Sequence, residues 1–170
     1  SYVFVTNTTP QTVSIQVNHT GSQTLEQGNQ WAQEVTQIAP YETKRVLRMN
    51  RYSGLKSGQT YNFDTIVSSG SSQVTFKQSM TGTWSGSTIK HGIQTASTTS
   101  PWYTDRNVHR INTTYAGLSA QAAVKAVYTG GYDDFHYTIH QNTVQEPISS
   151  SADELKILSY NIYALPMVAS

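Results

Sequence analysis

Thr12-Val13-Ser14-Ile15-Gln16-Val17 alternates a hydroxyl or amide side chain with a β-branched aliphatic one. A period of two puts Val13, Ile15 and Val17 on one face and the polar residues on the other, as in a half-buried strand. Upstream, Tyr2-Val3-Phe4-Val5 is a short β-branched and aromatic run closed by Asn7-Thr8-Thr9-Pro10. Downstream, strand character recurs at Trp31 to Ile38, after a loop rich in Gly and Gln, and at Thr43 to Met49, after the Pro40 break. It returns at Thr60 to Ser68, Ser72 to Met80, Ser87 to Thr95, Asn107 to Thr114, Ala120 to Tyr128 and Asp134 to Gln141. Ser53-Gly54, Ser69-Gly70, Ser85-Gly86 and Gly130-Gly131 supply turns between several of them. The spacing predicts an all-β domain, an antiparallel β-sandwich of about ten strands. Leu118 to Val127 competes as a helix, because Ala120, Ala122, Ala123 and Ala126 favour helix by propensity.

Glu146-Pro147-Ile148-Ser149-Ser150-Ser151-Ala152-Asp153 has linker composition. The expected organisation is therefore a domain over residues 1–146, a linker over 147–154 and a second element over 155–170. Lys156 to Tyr160 is a strand-like run that ends at Asn161. It reads as the first strand of a further domain whose remainder lies past Ser170.

The chain of 170 residues has a formal charge of +1, so bulk electrostatics offers no case for nucleic acid. Charged residues are only 12%, and polarity comes from Ser, Thr, Asn and Gln, with 11 Tyr, as in extracellular β proteins. Cys is absent, so nothing depends on redox state, and no apolar run approaches membrane-spanning length. Ser1-Tyr2-Val3-Phe4-Val5 resembles a mature terminus after signal removal, compatible with secretion.

Two groups of residues are candidates for binding. Lys44, Arg45, Arg48, Arg51 and Lys56 form a basic run with no acid among them. On a regular strand Lys44 and Arg48 share one face and Arg45 the other, with Arg51 beside Arg45 if the strand continues. The run suits a lipid phosphate or an anionic surface, each cation near such a membrane contributing about 1 kcal/mol; a charge-protected strand edge explains it equally well. Trp84, Trp102, Tyr103 and Tyr115 lie in or beside loop-like sequence near Gly82, Gly86, Pro101 and Gly117. Their rings suit a membrane interface or stacking on sugars, and core packing is the competing role. Asp133-Asp134-Phe135-His136-Tyr137-Thr138-Ile139-His140 invites a metal reading, but on a strand His136 and His140 stand about 13 Å apart, too far to share an ion. The polar side of an antiparallel sheet accounts for that pattern. Asn7, Asn18 and Asn112 begin glycosylation sequons, which chance alone supplies in a chain this rich in Asn and Thr.

Leu155, Lys156, Ile157, Leu158, Asn161, Ile162, Tyr163, Leu165 and Pro166 resemble the opening of the bacterial neutral sphingomyelinases, within the exonuclease–endonuclease–phosphatase superfamily. Those enzymes open with Leu-Lys-aliphatic-Leu, two small or polar residues, Asn, an aliphatic residue and Tyr, soon followed by a Leu-Pro or similar pair. Where the family often has Thr-His before the Asn, this chain has Ser159-Tyr160. The resemblance implies that Asn161 belongs to an active site beside a divalent metal, magnesium, and the substrate phosphate. It implies that this strand is the truncated first strand of an α/β catalytic domain, that of a secreted bacterial phosphodiesterase in which metal-activated water attacks sphingomyelin. Residues 1–146 would then be its accessory domain, partnered by a sphingomyelin-containing membrane surface and by the catalytic domain. The 170-residue chain alone is expected to need no cofactor and to show no phosphodiesterase activity with magnesium, because one amide cannot assemble the ligands and base that the chemistry requires. The alternatives are a lectin-like or pore-former-like binding module, and the accessory domain of a secreted nuclease of the same superfamily.

Overall fold

A computed structural model describes residues 1–20, 31–49 and 57–142. Among them are eleven strands and no helix. They are β1 (Tyr2–Thr8), β2 (Val13–Thr20), β3 (Trp31–Gln33), β4 (Gln37–Ile38), β5 (Glu42–Met49) and β6 (Thr60–Ser69). Then follow β7 (Ser72–Thr83), β8 (Gly86–Gln94), β9 (His109–Tyr115), β10 (Leu118–Tyr128) and β11 (Asp133–Gln141). One sheet has the order β3-β5-β1-β11-β10-β9 and the other β4-β2-β6-β7-β8. All pairings between these strands are antiparallel except β1 with β11, which run parallel from Val3↔Phe135 to Thr8↔His140. The segments 147–154 and 155–170, with Asn161, lie outside the described residues.

The inner faces of the sheets meet in one core. The alternation at Val13, Ile15 and Val17 is realised, all three being buried while Ser14 and Gln16 are exposed. Phe76 of one sheet stacks on Tyr137 of the other, ring centroids 4.7 Å apart. The alanine-rich segment is a central strand, against its helical propensity. Its small side chains pair across the ladder with large ones, Ala122 with Ile139, Val124 with Tyr137 and Ala126 with Phe135, so the layer fills without overpacking. Burial between two neighbouring strands outweighs a few tenths of a kcal/mol per residue of helix preference.

Two local features depart from the simple alternation. The expected single strand Trp31 to Ile38 is two short ones in different sheets, since β3 pairs with β5 and β4 with β2. Gln33 makes this corner possible. Its amide accepts from Val17 N at 2.9 Å and donates to Ile15 O at 2.8 Å and Val35 O at 2.9 Å, replacing ladder bonds with a side chain. The second departure is an irregularity in the β1–β5 register between Val3 and Phe4, which leaves the adjacent residues Val46 and Leu47 both buried.

The free edge of β8 is covered. Tyr103 and His91 exchange both backbone hydrogen bonds, at 3.0 and 2.8 Å, and Ile93 N donates to Ser100 Oγ at 2.8 Å. This segment crosses β8 at Gly92, where a Cβ would meet Ser100 Oγ at 3.0 Å and Pro101 O at 3.2 Å. Glycine is thus required by close approach, and the crossing delivers Trp102 to the outer side of the sheet.

Candidate functional site

The β7–β8 hairpin and the segment over its edge form the most distinctive surface among the described residues. Thr83 and Gly86 close the hairpin, and Trp84 sits in the turn with 98% of its surface exposed. A Trp ring left this far in water has no structural use there, because burying it is worth several kcal/mol.

Just below the tip, Ser79 and Thr81 of β7 pair with Lys90 and Thr88 of β8. With Ser87, Ile89, Thr104, Arg106 and Asp133 they line a groove of about 470 Å³, within the range of small-ligand sites. Two cations on its walls are backed by aromatic rings. Lys90 Nζ lies 4.6 Å from the centroid of Trp102, which is 48% exposed, and the Arg106 guanidinium lies 4.9 Å from that of Tyr128. Arg106 is also held by the buried Asp133, Nε to Oδ1 at 2.7 Å and Nη2 to Oδ2 at 3.1 Å. The Asp133 backbone is tied in turn to Ser1 by the hydroxyl of that residue. One wall is therefore rigid, while Lys90 forms no ion pair among the described residues.

Behind the covering segment, Tyr103 stacks flat on His109 with centroids 3.9 Å apart, and His109 Nε2 lies 2.7 Å from Asp105 Oδ1. That contact, together with the Asn107 backbone N–H, holds the Asp105 carboxyl below its ordinary range. His91 is fully buried on the inner side of β8, edge-on to Phe135 and Tyr103, and among the described residues neither ring nitrogen has a hydrogen-bond partner.

The expected binding residues separate into three groups. Trp84 and Trp102 stand exposed at the hairpin and groove, whereas Tyr103 is half-buried and spends its ring on His109. Tyr115 is a correction. It is fully buried and donates its hydroxyl to Val67 O of the other sheet at 3.1 Å, so it is a core residue with no face for a ligand. The basic run is also rearranged. The register places Arg45 opposite Phe4 and Arg48 opposite Tyr2, so these two share the outer face and Lys44, opposite Val5, lies on the other. The irregularity at Val46 reverses the face expected for Arg48. Acids from elsewhere meet the run: Arg45 pairs with Glu34, Nη2 to Oε2 at 2.9 Å, and lies over the Tyr2 ring, while Lys44 is 3.9 Å from Glu42. The Arg45 hydrogen bond keeps the Glu34 carboxyl below its ordinary range. Arg51 and Asn161 lie outside the described residues.

The acidic and histidine residues of β11 are not the solvent-facing row that alternation suggests, for Asp133, Asp134 and His140 are buried. Asp134 accepts from Tyr2 N at 2.9 Å, His140 Nδ1 lies 3.0 Å from Thr8 Oγ1, and His136 stacks on Phe4 at 4.8 Å. A central strand between two neighbours explains this burial. Asn7 is likewise fully buried, its amide donating to the carbonyls of Gln11, Ile38 and Ala39. That sequon is unavailable to a glycan in the folded chain.

Lys90, Arg106 and His91 had no distinguishing local pattern, and Asp133 stood out only within the acidic and histidine run that invited a metal reading. The nearest clues are Trp102, four residues before Arg106, and the Gly130-Gly131 turn just before Asp133. Comparison with protein-family models, curated proteins and solved structures returned no match for the chain.

Proposed function

We propose that the described residues form a β-sandwich that tethers a secreted, magnesium-dependent phosphodiesterase of the sphingomyelinase type to a membrane surface. The observation that supports tethering most is Trp84, projecting at the tip of the β7–β8 hairpin beside a cationic groove. An indole ring enters the interfacial region readily, and cations next to it meet lipid phosphates there. Tethering raises the enzyme's effective concentration at its substrate without new chemistry. The catalytic part of the proposal draws on the resemblance of residues 155–166 alone. The hydroxyl-lined groove with the half-exposed Trp102 beside it favours one second reading, a lectin-like module that stacks a sugar on the indole.

Vesicle co-sedimentation tests the proposal. If only about 80 Å² of the Trp84 ring enters the interface, the gain is about 2 kcal/mol. Trp84→Ala is therefore expected to weaken partitioning onto phosphatidylcholine–sphingomyelin vesicles by at least ~10-fold, with unfolding free energy unchanged. Equal partitioning of the two proteins would sink the tether, and saturable binding to a glycan panel without vesicle binding would favour the lectin-like module.

A further inference from the structure

The groove beneath Trp84 has more hydrogen-bonding capacity than the protein uses. The hydroxyls of Ser79, Ser87, Thr88 and Thr104 make no side-chain hydrogen bond among the described residues, and Thr81 alone is engaged, with Thr60 at 2.8 Å. Arg106 commits Nε and Nη2 to Asp133 and, among the described residues, keeps Nη1 uncommitted. Asp133 balances the Arg106 charge, so among the described residues Lys90 is the groove's uncompensated cation. Trp102 covers one side of that ammonium and leaves its remaining directions open.

Such a set selects among ligands. Neutral hydroxyl donors around a single free positive charge match a singly charged oxyanion that offers several acceptor oxygens. A phosphodiester monoanion has that chemistry. A free phosphate dianion would leave one charge uncompensated, and a neutral sugar would leave the ammonium unanswered. From these contacts we infer that the groove is a binding site for a phosphodiester, with Lys90 as the charged anchor and Thr88, Ser87 and Thr104 as donors.

Phosphodiesters occur in lipid headgroups and in nucleic acids. Trp84 lies three residues from both Thr81 and Ser87, within about 10 Å of the groove along an extended strand. A headgroup in the groove would therefore set its acyl chains beside the indole, whereas a formal charge of +1 gives a polyanion little net attraction to the chain. The lipid headgroup is the source that fits, an inference that rests on the tether proposed above and adds the ligand class and its contacts.

The test uses the full chain with soluble glycerophosphocholine, inorganic phosphate, a single-stranded oligonucleotide and phosphatidylcholine vesicles. Wild type is expected to bind glycerophosphocholine saturably, with amide shifts concentrated at Thr88, Lys90 and Thr104, and more tightly than inorganic phosphate. Lys90→Gln should weaken that binding about tenfold and Thr88→Val several-fold, each with an unchanged thermal midpoint. Trp84→Ala should leave the soluble affinity intact while losing vesicle binding. Unaltered glycerophosphocholine and vesicle binding by both groove variants overturns the groove assignment and leaves the tether standing. Absence of vesicle binding by wild type overturns the tether and, with it, the lipid source. Tighter binding of the oligonucleotide than of glycerophosphocholine also overturns the lipid source.

Discussion

Tyr115→Ala is expected to lower the unfolding free energy by about 4 kcal/mol, and Tyr115→Phe by about 1 kcal/mol. The ring has no exposed surface and ends β9 between the two sheets. Its truncation removes a large apolar area and leaves a cavity bounded by two ladders that cannot both collapse into it. The Phe variant keeps the ring and loses one neutral hydrogen bond, that from Tyr115 Oη to Val67 O. The backbone around it is also fixed: Gln141 Nε2 donates to Tyr115 O at 2.6 Å, and Ser72 Oγ accepts from Ala116 N at 2.9 Å. Ala116 and Gly117 both have positive φ, 49° and 80°, forming the tight turn into β10. Urea denaturation of the three proteins measures the effect. A loss below about 1 kcal/mol for the Ala variant, accompanied by weaker vesicle binding, would return Tyr115 to the surface.

Tyr115 also marks where the sequence stops being informative. Its neighbours Ala116 and Gly117 announce a turn correctly, and a turn suggests exposure. The last residue of an amphipathic strand can point either way, and its face follows from register, which the partner strand sets. The same ambiguity governs β5. Lys44, Arg45 and Arg48 are plainly basic, but one irregular pairing at Val46 decides which of them share a face, and the acid that meets Arg45 comes from Glu34, outside the run. The alternating strands were legible because a half-buried sheet dictates their pattern residue by residue, as Val13, Ile15 and Val17 show. The groove was not, because Lys90, Arg106 and Asp133 come from three separated segments. Lys90 and Arg106 look ordinary in their own strand and loop, and Asp133 drew notice only as part of the acidic and histidine run of β11. Trp84 and Trp102 were legible as exposed because Gly86 and Pro101 mark a turn and an irregular segment beside them.

His91 carries the second large prediction. Stability is expected to fall by up to about 3 kcal/mol as pH drops from 7 toward 4, at about 1.4 kcal/mol per pKa unit. Burial pushes the imidazole down from its ordinary 6.5 to about 4, and repulsion from His109 adds to this, while Asp105 and Asp133 act in the opposite direction without prevailing. The folded value lies below the unfolded one, so the unfolded chain takes up the proton first. The neutral ring's contribution is therefore complete above pH 6.5, declines as pH falls, and is fully lost once His91 itself protonates near 4. Glu34, Asp105, His136 and His140 are also shifted downward and add to the acid sensitivity of the wild type, which is why the comparison must be with a variant. His91→Leu removes the titrating group and its two unpartnered nitrogens while filling the space between Phe135 and Tyr103. Replacing an unpaired buried polar ring by an apolar side chain is near neutral or stabilising at pH 7.5. The variant should then surpass the wild type increasingly as the pH falls, the gap growing between pH 6.5 and 4. Denaturant titrations of both proteins at pH 7.5, 6.0, 5.0 and 4.5 read this gap directly. Parallel pH profiles would mean that His91 is hydrated or partnered in solution and that the acid response arises from the carboxylates. A growing gap would tie it to the ring beneath the segment that carries Trp102.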